Sequence, residues 1–127
     1  MKRIESIIDG VNISLNVPET ASEYREGARA SSNSLAENEG YLFKYDIPQK
    51  LSFENTGVPF QLKVLFLTTL GTASVVAEEG TLLKDSSKVV ASFTPHSAAI
   101  ELRSDFCEKY KIGVGSIVTF VTGEEDD

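Results

Sequence analysis

The alternation of apolar and polar residues predicts a chain built mainly from short β-strands. In the clearest strand, residues 11–17, every second residue is valine, isoleucine or leucine, which is the period of a strand with one buried face. Residues 3–8 are also compatible with a strand, and the pair Asp9-Gly10 that joins the two runs is one that type I′ hairpin turns prefer. Residues 2–17 are therefore predicted to form a β-hairpin.

Two short helices are expected between the strands. Residues 20–23, with the sequence TASE, have the spacing of a capping box, and Gly27 suits a helix C-terminus. The second helix covers residues 104–110, where Ser104 can cap the N-terminus and Asp105 lies at the positive end of the helix dipole.

Aromatic and β-branched residues dominate several later runs, which is typical of strands. The predicted strands after the hairpin are residues 41–45, 50–53, 62–67, 73–77, 88–93, 98–102 and 116–121, with turn signals at Gly71, Gly80, residues 85–87 and Pro95. Residues 28–39 are small and polar except for Leu35, and are predicted to form a long surface loop.

Many short strands without long helices between them indicate a mainly β fold rather than a wound α/β sheet. We predict a jelly-roll-like β-sandwich or barrel of about eight or nine short strands with two short helices. Residues 1–122 are expected to form a single domain, and residues 123–127 a disordered acidic tail. The last strand is expected to end in this solvated segment, which would protect an exposed sheet edge.

The composition fits one soluble globular domain and excludes several classes of partner. The 127 residues are 41% hydrophobic and 24% charged, and 12 basic residues stand against 19 acidic ones. Nucleic acids and anionic membranes require clustered lysine and arginine, so neither is an expected partner. The chain has a single cysteine, no pair of residues with zinc-ligand spacing and no apolar run long enough to span a membrane. We therefore expect a cytoplasmic protein without a metal or cofactor.

His96 is the only histidine, the residue type most often used as a general acid or base. It lies within residues 94–97, a predicted turn, where a solvated loop side chain is the favoured interpretation. A catalytic role would need a carboxylate within hydrogen-bonding reach, and Glu101, Asp105 and Asp46 are the candidates.

Other candidate features have structural interpretations that we favour over chemical ones. Cys107 lies beside the apolar stripe of the second predicted helix and is interpreted as a packed, inert thiol. Residues 113–116 are similar to a phosphate-binding loop, but the helix precedes them and the strand follows, which is the reverse of the required order. Glu101 interrupts an apolar run and is interpreted as a solvent-facing position on a strand. Aromatic residues at 41, 43, 45, 53 and 60 could stack on a planar ligand, although core packing explains most of them.

The order of several motifs resembles that of a known family. The motifs are residues 20–23 ending in Gly27, EGYLF at 39–43, LSF at 51–53, LKVLFL at 62–67, Gly71, IEL at 100–102 and KIGVGSIV at 111–118. Over about residues 11–121 this arrangement is similar to domain of unknown function family 192, a set of small bacterial and archaeal proteins. The resemblance implies a mainly β, jelly-roll-like fold with short helices, and no established activity.

The chain departs from the family pattern in one segment. Where the family reads Ser-Phe-Trp-Met-Lys-Asn-Thr and then Pro-Leu-Asp-Ile, residues 52–58 read SFENTGV and residues 61–64 read QLKV. The family's Gly-Leu-Met and Gly-Met-Leu-Phe likewise correspond to GAR at 27–29 and GYLF at 40–43. The resemblance therefore implies no site residue, and only scaffold positions are carried over: Gly40, Phe43, Phe53, Phe66, Glu101, Gly113 and Gly115.

Two hypotheses about function follow. The first is a non-enzymatic module that binds a small ligand or a protein partner on its loops. Its predicted binding residues are Asn33 in the 28–39 loop, Glu54, Asn55 and Thr56 in the following turn, and His96. The alternative is a hydrolase or metal-assisted enzyme in which His96 works with a nearby carboxylate.

Overall fold

The chain forms a closed seven-stranded β-barrel with a small second sheet on its outer face. This computed structural model describes residues 1–31, 35–69 and 71–121. The strands are β1 (Lys2–Ile8), β2 (Val11–Val17), β3 (Glu39–Gln49), β4 (Ser52–Phe53), β5 (Leu62–Leu67), β6 (Ala73–Leu82), β7 (Val90–Ala91), β8 (His96–Arg103) and β9 (Ile117–Phe120). The helices are α1 (Ala21–Glu26), a 3₁₀ helix (Gly27–Ser31) and α2 (Ser104–Tyr110).

The order around the barrel is β1-β2-β3-β8-β5-β6-β9, and β9 pairs with β1 to close it, whereas β4 and β7 form the separate sheet. The predicted mainly β fold with short strands and two short α-helices is confirmed. The domain boundary predicted at residue 122 and the tail at 123–127 lie outside the described residues.

The first hairpin and helix α1 form where short sequence signals predict them. Asp9 and Gly10 both have positive φ, 49° and 84°, as a type I′ turn between β1 and β2 requires. At α1 the Thr20 side chain accepts a hydrogen bond from the Glu23 amide, and the Glu23 side chain accepts one from the Thr20 amide. The predicted hairpin and capping box are therefore both present.

One pair of neighbouring strands, β2 and β3, runs parallel, and the other pairings described are antiparallel. A chain cannot connect parallel neighbours by a hairpin and needs a crossover. Here α1 and the 3₁₀ helix belong to that crossover, and the 3₁₀ helix contacts β3 on the outside of the barrel.

The apolar residues divide into an inner core and an outer layer. Alternate residues of β8 show the division, because Ala98, Ile100 and Leu102 belong to the barrel interior whereas Ala99 belongs to the outer layer. The inner core also contains Phe106 and Cys107 of α2. The outer layer contains Tyr41, Phe43, Leu51, Val58, Leu62, Val64 and Phe66. The crossover and the segment around β4 cover this outer face.

Several sequence predictions are wrong in detail. The sequence predicts a turn at Gly80, but this residue lies inside β6, where a Cβ would overlap the side chain of Val90. Only Val90 and Ala91 of the predicted strand 88–93 are paired. The 28–39 segment is not wholly a surface loop, because it begins in the 3₁₀ helix and both Ala28 and Leu35 are buried.

The ends of the last two elements also differ from expectation. Ser104 is the first residue of α2 rather than its cap, and its hydroxyl accepts a hydrogen bond from Gln61 Nε2 at 2.9 Å. The predicted strand 116–121 is β9, which pairs with β1 on one side and β6 on the other. It is therefore not an exposed edge that an acidic tail would need to protect.

Candidate functional site

A cavity of about 190 Å³ opens on the outer face of the barrel, between the crossover and β4. Its wall comes from α1 and the 3₁₀ helix on one side and from β4 with the turn after it on the other. The lining residues are Tyr24, Arg25, Glu26, Gly27, Ala28, Arg29, Phe43, Ser52, Phe53, Glu54, Asn55, Val58, Val89 and Glu101.

Glu101 is the buried acid of this cavity. It lies in the middle of β8, opposite Tyr41 of β3 and Val64 of β5, and the residue is 4% exposed. The alternation of β8 directs it away from the barrel interior, as the sequence predicts. The predicted solvent exposure is wrong, because the outer layer covers this face.

The carboxyl of Glu101 receives no hydrogen bond from any residue in the described ranges. Burial raises its pKa to about 8. The positive charge of Arg29 acts to lower this pKa, and the negative charge of Glu54 acts to raise it. At pH 7 the group is therefore mostly protonated. A buried polar group without a partner costs free energy, and a carboxyl with a strongly raised pKa in a cleft is typical of a functional site.

Arg29 and Glu54 form the charged rim. Arg29 donates to the carbonyl oxygens of Arg25 at 2.5 Å and Thr56 at 2.9 Å, and its Nη1 lies 3.5 Å from Glu54 Oε2. Hydrogen bonds from Thr56 and the positive charge of Arg29 lower the pKa of Glu54. Glu54 is therefore ionised at neutral pH. The arginine closes the gap between the 3₁₀ helix and the turn after β4.

Aromatic side chains form the apolar part of the wall. The ring of Phe43 lies 5.1 Å from that of Phe53 and 6.0 Å from that of Tyr24, measured between centroids. The Tyr24 hydroxyl donates to the carbonyl oxygen of Lys44 at 2.6 Å, which fastens α1 to β3. Gly27 has a φ of 49°, and a Cβ there would contact the ring of Phe43. The Tyr24 hydrogen bond and the close approach of Gly27 to Phe43 therefore hold α1 and β3 together at this wall.

The structure brings some of the predicted binding residues to this cavity. Glu54 and Asn55 line it, whereas Thr56 does not line it but binds two rim residues, through its carbonyl oxygen to Arg29 and its amide hydrogen to Glu54. Asn55 is buried, and its side-chain amide donates to the carbonyl oxygens of Phe60 and Leu83. It therefore holds the turn in place and has no amide hydrogen left for a ligand. Asn33 lies outside the described residues.

Sequence reasoning did not identify Glu101, Arg29 and Tyr24 as members of one site. The available signal was a single acidic residue inside the apolar run of residues 98–102. The sequence indicates a core position for Phe43 and Phe53, and both also pack in the outer layer.

His96 lies in a different place and is not the solvated loop residue that the sequence predicts. It is 6% exposed, begins β8 and stacks on Phe66 at 5.8 Å between ring centroids. Its Nδ1 donates to the carbonyl oxygen of Leu67 at 2.9 Å, because a carbonyl can only accept, and its Nε2 lies 2.6 Å from Glu78 Oε2. Both ring nitrogens are therefore engaged.

The acidic neighbour of His96 is Glu78 and not one of the three predicted carboxylates. Burial disfavours ionisation of Glu78, but hydrogen bonds from the Thr94 hydroxyl, the Phe93 and Thr94 amides and His96 outweigh it and lower its pKa to about 2. These hydrogen bonds connect residues 93–96, where the chain enters β8, to Glu78 of β6. His96 lines neither this cavity nor a second one of about 290 Å³ between Phe60 and Glu108.

The remaining chemical candidates have structural roles. Cys107 is buried in the inner core, and burial raises the pKa of its thiol to about 12, so it is the inert thiol that the sequence predicts. Residues 113–116 form the turn between α2 and β9. Within the described ranges, no three His, Cys, Asp or Glu side chains come together as metal ligands. None of the helices described is long and apolar enough to cross a membrane.

Solved structures with the same fold include proteins from two bacteria. A protein from Sinorhizobium meliloti 1021, proposed to be a transcription regulator, has a TM-score of 0.78 with 15% identity, over 94% of this chain and 92% of its own. A protein of unknown function from Novosphingobium aromaticivorans DSM 12444 has a TM-score of 0.69 with 15% identity, over 91% of this chain and 82% of its own. At this identity the likeness shows the fold alone.

Sequence comparison assigns the family. Curated proteins give no significant match. The model of the DUF192 family, described as "Uncharacterized ACR", matches residues 4–120, which is nearly the whole chain. The chain therefore belongs to the DUF192 family, as the order of its motifs predicts.

Proposed function

We propose that this protein binds a small organic ligand in the cavity above Glu101. The observation that carries the proposal is the buried Glu101 carboxyl, which lines the cavity and has no hydrogen-bond partner among the described residues. Buried polar groups in folded proteins are almost always satisfied. A ligand atom that hydrogen bonds to this carboxyl would recover the cost of its burial.

The surroundings of Glu101 support a binding role. Small-molecule sites are concave and combine apolar surface with a few polar groups that orient the ligand. This cavity combines the aromatic wall of Tyr24, Phe43 and Phe53 with polar groups at its base and rim. Arg29 joins the two walls through its hydrogen bond to the Thr56 carbonyl oxygen, and Tyr24 fixes α1 to β3 through its hydrogen bond to the Lys44 carbonyl oxygen, so the cavity exists before a ligand enters.

The arrangement around His96 gives less support to the hydrolase alternative. To act as a general base, the ring would have to break its contact with Glu78 or with Leu67, and a base must be within reach of a substrate proton. We therefore place the ligand at Glu101.

An NMR screen tests the proposal. Small amines, carboxylates, alcohols and hexoses are added at millimolar concentration to the ¹⁵N-labelled protein, and we expect one class to shift the amide resonances of residues 24–29 and 52–55. A Val89→Trp variant should narrow the cavity and weaken this binding, because Val89 is 58% exposed and lines the opening.

Val114→Trp is the matched control for this variant. Val114 is 61% exposed and does not line the cavity, so the substitution should leave binding unchanged. Equal weakening by both tryptophans, or shifts confined to residues away from the cavity, would contradict the proposal.

A further inference from the structure

We infer that the ligand of this cavity is a small organic cation, with an ammonium or amidinium group against the Glu101 carboxyl and its hydrocarbon part against the aromatic wall. The inference rests on the proposed binding function and adds the class of ligand.

The Glu101 carboxyl is available to a ligand, whereas the guanidinium of Arg29 is not. Arg29 already contacts three oxygen atoms, which belong to Arg25, Thr56 and Glu54. An anion would have to displace these contacts and open the rim. Arg25 and Glu26 are exposed on α1 and carry opposite charges, so they add no net charge at the opening. The base of the cavity therefore favours a positive group.

The apolar wall favours an organic cation over a metal ion. Hard metal ions need about six or more oxygen ligands, and no three metal-ligating side chains converge in the described part of the chain. One carboxyl beside aromatic rings instead suits an amine, because aromatic rings attract cations and also pack against hydrocarbon. Phe43 and Phe53 provide this surface next to Glu101.

The charged and titratable groups around Glu101 predict a proton release on binding. Tyr41 and Tyr45 of β3, Arg29 of the 3₁₀ helix and Glu54 after β4 surround it. Without ligand the carboxyl is mostly protonated at pH 7, since its pKa is about 8. An ammonium ion stabilises the carboxylate, so its binding should expel about one proton at pH 7. A neutral ligand would leave the proton in place.

Three probes of similar shape and different charge test the inference: benzylammonium, benzyl alcohol and benzoate. Each is titrated into the full chain by calorimetry in two buffers of different ionisation enthalpy, and the binding site is located by NMR. We expect benzylammonium to bind most tightly and to release about one proton at pH 7. Its affinity should rise by up to about tenfold per pH unit as the pH approaches 8, and then level off.

Two glutamine variants locate the effect. Glu101→Gln should weaken benzylammonium binding at least tenfold and abolish proton release, because the amide cannot ionise. Glu108→Gln is the control, since Glu108 is exposed on α2 and does not line this cavity. It should bind benzylammonium like the unmodified chain.

The outcomes separate the inference from the proposed function. If benzyl alcohol or benzoate shifts the cavity resonances and binds more tightly than benzylammonium, the cation inference is wrong and small-ligand binding stands. If benzylammonium binds in the cavity without proton release and tolerates Glu101→Gln, Glu101 is not its partner and the inference is again wrong. If no probe binds there, the inference fails, and the broader screen decides the proposed function.

Discussion

Glu101 makes the stability of this protein depend on pH in an unusual direction. Its pKa is about 8 in the folded state and about 4.3 in an unfolded chain. At a pH between these two pKa values, Glu101 carries a proton in the folded state that it has released in the unfolded state. The stabilising contribution of Glu101 to the free energy of unfolding is therefore complete below its unfolded pKa. It is lost as the pH rises towards 8, by up to about 1.4 kcal/mol per pH unit.

We predict that Glu101→Gln is increasingly more stable than the unmodified chain as the pH rises from 5 to 8. Glutamine resembles the protonated carboxyl and removes the cost of ionising it in a buried position. Urea unfolding at several pH values measures the difference between the two proteins, in which the contributions of all other groups cancel. Glu108→Gln is the control, because Glu108 is exposed on α2 and does not line the cavity around Glu101. A difference between Glu101→Gln and the unmodified chain that stays constant over this range would contradict the prediction.

Glu78 gives the opposite dependence. Its pKa is lowered to about 2 by hydrogen bonds from Thr94, Phe93 and His96 that outweigh the effect of burial, so its contribution is present above the unfolded pKa. It is lost as the pH falls from about 4.5 to about 2. We predict that Glu78→Gln lowers the free energy of unfolding by about 1–3 kcal/mol at pH 7, because His96 and the backbone amides lose a charged acceptor.

Acid titration of stability checks this prediction. The difference between Glu78→Gln and the unmodified chain should shrink as the pH falls towards 2. Glu19→Gln serves as the control, since Glu19 is exposed and lies 3.9 Å from Lys2, a contact of little energetic value. A difference that does not depend on pH would show that the charge of Glu78 contributes nothing.

At the scale of the element, β3 and β8 depend on the absence of a side chain at Gly40. A Cβ at this position would overlap the carbonyl oxygen of Glu101 and the side chain of Leu102. We predict that Gly40→Ala destabilises the protein by about 1–3 kcal/mol, the usual cost of overpacking, as measured by chemical unfolding. At Gly71, where the nearest atom to an added Cβ is 4.0 Å away, Gly71→Ala should cause no destabilisation. Equal effects of the two alanines would contradict this reading of the β3–β8 contact.

The elements that the sequence predicts well are those whose signals lie close together in the chain. The turn at Asp9-Gly10 and the capping box at residues 20–23 each depend on neighbouring residues, so local pattern is sufficient. The role of Gly80 depends on Val90, and the burial of Glu101 depends on α1 and β4, which are distant in sequence. Periodicity indicates which face of a strand a residue occupies. It does not indicate what covers that face.

The parallel pairing of β2 and β3 was likewise not predicted, because alternation identifies a strand without naming its partner. For the same reason, the sequence does not predict which residues meet in the candidate site. Glu54 and the aromatic residues near it were noted from the sequence, whereas their meeting with Arg29 and Glu101 follows from the route of the chain around the barrel. The site is therefore a property of the topology.

At the scale of the whole molecule, barrel closure and net charge have separable effects. Each barrel strand has two neighbours, and β9 is held by β1 and β6. Residues 124–127 are all acidic and lie outside the described residues. We predict that deleting them leaves the thermal transition in place but increases self-association at low ionic strength, because the formal net charge changes from −7 to −3. Analytical ultracentrifugation and thermal unfolding test both parts, and a lost thermal transition would show that the segment is needed for folding.

The crossover between β2 and β3 also affects how proteins with this fold can change their ligand pocket. The chain has to pass over the outside of the barrel to make these two strands parallel neighbours, and α1 and the 3₁₀ helix on that path form one wall of the cavity. Lengthening a connection is inexpensive, since doubling a loop costs only about 0.6 kcal/mol. Insertions on this path can therefore reshape the pocket while every barrel hydrogen bond stays in place. We expect changes of ligand during evolution to be concentrated in this connection.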